Sequence, residues 1–144
     1  MMELAEMILA LCNVAAPSGF EEPAFKLASE LLRPYVDSVE TDPMGNLIAR
    51  KSCGKLGARL LMLDAHMDEV GFIVTGIEDG FLRFSPIGGI DDRMLSAREV
   101  VILSKEPVFG VIDTLPPHAL SAEDQEKPVE AAKLFIDIDR KSVV

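Results

Sequence analysis

Only two cysteines, Cys12 and Cys53, occur in the 144 residues, and they lie far apart. They read as reduced thiols rather than as a disulfide framework. Neither belongs to a Cys-x-x-Cys pair, so no structural zinc knuckle is expected. Positive charge is also short: 14 Lys and Arg against 24 Asp and Glu leave a net charge of −10. That balance disfavours a nucleic-acid partner, which wants a basic face. No segment reaches about 18 uninterrupted apolar residues, so no membrane span is expected. The first 17 residues are apolar, but they begin without Lys or Arg and carry Glu3 and Glu6 instead. A secretory signal would have the opposite charge, and the cytoplasm is the expected compartment. Gly-x-Ser-x-Gly and P-loop spacings are missing, so serine-hydrolase and nucleotide-binding readings have no support.

What is there is a core-forming chain. Hydrophobic residues make up 49% of it, too many for a disordered segment. The length suits one ordinary domain, or a small domain plus part of another. Leu4, Met7, Ile8, Leu11 and Val14 recur at helical spacing and predict an amphipathic helix over roughly 2–15. Ser18 followed by Glu21 has the spacing of a capping box and predicts the start of a second helix. Pro23 is tolerated in its first turn, Ala24, Leu27, Ala28 and Leu31 form its buried stripe, and Pro34 ends it. Val36 to Glu40 alternates as a half-exposed strand, Asp42 to Gly45 has turn chemistry, and Asn46 to Arg50 returns as the second strand of a hairpin.

The most informative stretch is Leu60 to Gly71, LLMLDAHMDEVG. Leu60 to Leu63 is a continuous apolar run, as expected for a strand buried on both faces. The run then turns polar and carries His66, one of two histidines. Polar side chains at the end of a buried strand lie where open α/β sheets collect ligands. Alternation along a strand places His66 and Asp68 on one face, with Met67 and Glu69 on the other. An imidazole beside a carboxylate suits a metal ligand oriented from behind by an acid. After Gly71 the texture changes. Short strands at 72–77, 81–84, 100–103 and 108–112, separated by Gly, Pro and Asp, predict a small β-barrel or sandwich. A helical period returns only near 121–133.

Ala65 to Phe72, AHMDEVGF, resembles the first signature of the glutamyl-aminopeptidase and tetrahedral-aminopeptidase family of dinuclear-metal exopeptidases. Further matching pieces follow the family's order: Pro17-Ser18-Gly19 with Glu21, Asp42 with Gly45 to Ile48, Ile87-Gly88-Gly89, Gly110-Val111-Ile112, Pro117-His118 and Leu134 to Ile138. The resemblance implies an α/β fold: an incomplete zinc-exopeptidase-like layer over residues 1–72, then a small β-barrel insert over 73–144. It implies that His66 binds one of two divalent ions, zinc or cobalt, and that Asp68 holds and polarises the imidazole. The Ser18-Gly19 turn and Glu69 are expected to be structural, and His118, which stands outside the family's ligand set, structural or on the surface. Asp91 and Asp92 are expected as solvated loop charges, since consecutive strand residues point apart and do not flank one bond.

The resemblance also implies a peptide substrate, a homo-oligomer and release of N-terminal residues. A two-metal site needs about five protein ligands and a carboxylate base. The family's other ligands fall beyond the β insert, so the isolated chain is expected to be inactive, as a truncated product or relic. Ala97-Arg98 and Asp139 depart from the family's usual residues. A non-catalytic self-assembly module is the alternative, and a cellulase-type glycosidase a weaker one.

Overall fold

A computed structural model describes residues 2–116 and 130–139. The chain divides into two compact units, Met1–Glu69 and Val70–Val144.

In the first unit, helix α1 spans Leu4–Cys12 and α2 spans Glu22–Leu32. Pro23 sits in the first turn of α2, where its missing N–H costs no hydrogen bond. Ala24 and Ala28 are buried, with Leu27 and Leu31 half-buried beside them, so the stripe read from the sequence is the packed one. A short 3-10 turn over Arg33–Tyr35 then carries the chain out of the helix. Strands β1, Ser38–Thr41, and β2, Leu47–Arg50, form the expected antiparallel hairpin. Its turn is built on Asp42, whose Oδ1 accepts the N–H groups of Met44 and Asn46, both at 2.9 Å. Gly45 supplies the left-handed residue, at φ +87°.

Three expectations fail here. Helix α1 forms, but it buries no residue completely: Leu4, Ile8 and Leu11 face solvent, and only Met7 and Ala10 are half-buried. The capping box of Ser18 and Glu21 does not form. Glu21 itself precedes the first turn of α2, its carboxylate accepts the Gly19 N–H at 2.6 Å, and the Ser18 hydroxyl is engaged elsewhere. The apolar run Leu60 to Leu63 is not a buried strand. Its side chains are 80–96% exposed, and no strand pairs with it among the described residues. A strand buried on both faces needs neighbouring strands and covering layers. The first unit offers two helices and a two-stranded hairpin, and neither provides them.

The second unit is an antiparallel sheet of β3, Gly71–Glu78; β4, Phe81–Ile87; β5, Glu99–Ile102; β6, Val108–Asp113; and β7, Phe135–Asp137. The strand order is β3-β4-β7-β6-β5. No pairing joins β3 to β5 among the described residues, so the expected closed barrel is not shown by them. Alternation sends one face inward. Leu82 and Phe84 of β4, Ile112 of β6 and Ile136 of β7 meet Leu95, Ala131 and Leu134 in one core. Phe72 meets Phe84 edge-on, with ring centroids 4.9 Å apart. The helical period near 121–133 lies mostly outside the described residues, and its end, Ala131–Lys133, is a 3-10 turn.

Gly110 shows how tightly that core closes. A Cβ at this position would lie 2.5 Å from Ile136 Cγ2 and 3.0 Å from the Asp137 carbonyl oxygen. Main-chain atoms of a paired strand cannot step aside without breaking the ladder. Gly110→Ala is therefore expected to destabilise the second unit by about 1–3 kcal/mol, the usual cost of overpacking. Chemical denaturation checks this, and an unchanged midpoint would refute the close approach.

Candidate functional site

The candidate site lies where residues 66–69 meet the turn at 16–19. Pro17 and Glu69 form a parallel bridge, and the Glu69 N–H donates to the Ala16 carbonyl at 3.0 Å. The Glu69 carboxylate adds a second tie by accepting the Ala16 N–H at 3.0 Å. Ala16 is buried at 2% exposure, so this main-chain amide needs a partner, and Glu69 supplies it. Next in the chain, the Phe20 N–H donates to the Pro17 carbonyl at 2.8 Å, closing a turn with Ser18 and Gly19 at its centre. Gly19 has φ +90°, the conformation such a turn asks of its third residue.

From this turn the Ser18 hydroxyl donates to Asp68 Oδ2 at 2.5 Å. The other oxygen, Oδ1, faces His66 Nδ1 at 3.0 Å, and the Asp68 carbonyl oxygen faces the same nitrogen at 3.0 Å. An ionised carboxylate and a carbonyl can only accept, so Nδ1 carries the proton. The neutral ring then leaves Nε2 bare. Asp68 stays ionised, because the Ser18 hydroxyl first, and the His66 ring second, hold its carboxyl below the ordinary carboxylate range. The imidazole is 86% exposed and is not walled in by aliphatic carbons.

A bare, accessible Nε2 with its partner nitrogen engaged by an acid fits one coordination position of a divalent ion. The remaining positions are not filled nearby. Among the described residues no group of three or more His, Cys, Asp and Glu side chains could hold an ion. Zinc takes three or four protein ligands. His118 lies outside the described residues. Cys12 and Cys53 are both free and exposed, as their spacing implied. Ser18 is the residue that sequence reasoning undervalued. It reads locally as a cap, and its partner lies 50 positions away, beyond any helix or turn period.

Residues 45–143 match the family model described as M42 glutamyl aminopeptidase. The chain belongs to the M42 family. It is 32% identical over 141 residues to the lysyl aminopeptidase of Pyrococcus furiosus, a match covering 95% of this chain and 40% of that protein. Aminopeptidase APDkam598 of Desulfurococcus kamchatkensis superimposes with a TM-score of 0.81 at 40% identity, over 92% of this chain and 36% of its own. The TET1 peptidase of Pyrococcus horikoshii, which can assemble into a tetrahedron or a large octahedral shell, gives a TM-score of 0.71 at 38% identity, over 94% and 40%. The chain spans about two fifths of the curated relatives it matches, 38% and 40% of the first two.

In this M42 chain, Asp91 of the acidic pair Asp91–Asp92 is an exposed loop charge, as read, and both acids also make local structural contacts. Asp91 Oδ1 accepts the Arg93 N–H at 3.1 Å, capping a 3-10 turn at Asp92–Met94. Both Asp91 oxygens take the Arg93 guanidinium, Nε at 2.9 Å and Nη2 at 2.6 Å. Asp92 Oδ2 accepts the part-buried Ala131 N–H at 2.8 Å. Neither acid is placed to attack or protonate a glycosidic oxygen, so the cellulase-type reading is the weaker one. The Arg93 fork lowers the Asp91 carboxyl from 3.8 to about 2. Because the folded value is depressed, its stabilising contribution is complete above the ordinary value and is lost as pH falls through about 2. The carbon resonance of this carboxyl should titrate near 2, and Asp91→Asn should flatten the acid limb of the stability profile between those values. Titration at an ordinary carboxylate pH would contradict the fork.

Proposed function

We propose that this chain is the N-terminal part of a metal-dependent aminopeptidase, with its peptidase layer over residues 1–72 and its small β-barrel insert over 73–144. His66 would hold one of two divalent ions, zinc or cobalt, through Nε2. Asp68 would keep the ring in that tautomer and raise the basicity of the free nitrogen. When bound, such a metal pair polarises the scissile carbonyl and activates water for hydrolysis of the first peptide bond. The single observation supporting this is the engagement of His66 Nδ1 by acceptors alone, with Nε2 open. Family membership and relatives named as aminopeptidases support the substrate class, a peptide with a free amino terminus. The two exposed free thiols suit the cytoplasm, and no described helix is long and apolar enough to cross a membrane.

One ligand cannot assemble the chemistry. The isolated chain is expected to show no turnover of leucyl or glutamyl anilides, with zinc or cobalt added. Hydrolysis above the metal-only blank that is lost in His66→Ala would overturn the view that this chain carries only part of the site.

A second reading, a non-catalytic self-assembly module, draws on the outer face of the sheet. Val101 and Phe109 are register partners, 47% and 75% exposed, and Val111 follows on the same face. That a TET1 relative can assemble into a tetrahedron or a large octahedral shell supports this reading. Light scattering after size exclusion is expected to show an oligomer that Phe109→Glu dissociates. A monomeric parent chain would remove this reading and leave the first one standing.

A further inference from the structure

We infer that Ser18 is a positioning residue for the His66–Asp68 pair, and that its hydroxyl selects which imidazole nitrogen of His66 is left free. The inference deepens the proposed function, since it matters to catalysis only if His66 is a ligand.

A carboxylate joined to its chain through two rotatable bonds does not by itself fix an imidazole. Asp68 belongs to no regular strand or helix, and its side chain is 39% exposed. The Ser18 hydroxyl takes Oδ2 at 2.5 Å and so aims Oδ1 at Nδ1. Ser18 can do this because its own position is set independently. On one side the Pro17 bridge and the two Ala16–Glu69 hydrogen bonds anchor the turn. On the other side Gly19 takes the left-handed backbone that closes it, its N–H held by Glu21. The half-buried hydroxyl is therefore presented by a prearranged turn. A hydroxyl also only needs to donate here: Asp68, once ionised, has no proton to return.

A merely structural Ser18 would tie the turn to residues 66–69 and leave the ring's tautomer alone. The two roles separate in the metal-free chain by nitrogen NMR of His66 at a pH where the ring is neutral. In the parent chain Nδ1 is expected at the shift of a protonated nitrogen and Nε2 at that of a bare one. Ser18→Ala is expected to move the two resonances towards each other as the second tautomer becomes populated. Ser18→Thr, which keeps the hydroxyl, is expected to restore the parent pattern. If Ser18→Ala does not fold, Ser18→Cys, a weak donor of similar size, is read in its place. Lost stability with unchanged His66 shifts would overturn the proposal and leave Ser18 a tie. Asp68→Ala distinguishes the underlying reading: if it leaves the tautomer unchanged, the Asp68 main-chain carbonyl alone holds Nδ1, and the carboxylate's part in orienting His66 fails.

Discussion

The carboxylate of Asp68 spends its two oxygens in two directions, and the arrangement of the candidate site depends on that division. One oxygen meets a hydroxyl brought from 50 residues away, and the other meets an imidazole two residues away. Its neighbour Glu69 makes the long-range contact mechanically secure, through one main-chain and one side-chain hydrogen bond to Ala16. Consecutive acids thus do different jobs on the same loop. Glu69 docks the loop, and Asp68 transmits the docked geometry to His66.

The same chemistry recurs across an acid-rich chain. Asp37 accepts the Ser52 N–H at 2.6 Å, Asp42 gathers two main-chain amides at its turn, and Asp91 and Asp92 take the amides of Arg93 and Ala131. A carboxylate has several lone pairs and no donor. It suits loops whose N–H groups point outward without a ladder partner. These four of the 24 acids therefore have a local structural use. This is why an acidic composition carried little information about ligands.

Local patterns were legible where local contacts decide the structure. The α2 stripe, the β1–β2 hairpin and strands β3 to β6 follow from periods of 3.6 and 2 together with Gly and Pro punctuation, whereas β7, only three residues long, was not read. The His66–Asp68 contact forms as read, but not for the reason given by strand alternation, since neither residue lies in a regular strand. Long-range partners were not legible. Ser18 and Glu21 satisfy the spacing of a helix cap, yet tertiary contacts draw Ser18 to Asp68 instead. The amphipathic period of α1 likewise specifies a helix but not what covers it. The burial of Leu60 to Leu63 was inferred from hydrophobicity, and hydrophobicity states a demand for cover rather than its supply.

That uncovered run has a further consequence. Four large aliphatic and thioether side chains in succession carry no charge and no proline, and their main-chain groups lack a ladder. Such a segment is a template for intermolecular cross-β stacking. The nearest charges that could act as gatekeepers are Arg59 and Asp64 at its two ends, one of each sign. Opposite signs at opposite ends attract in an antiparallel stack, so they guard the run poorly. Stacking along Arg59 to Asp64 would therefore end two residues before His66.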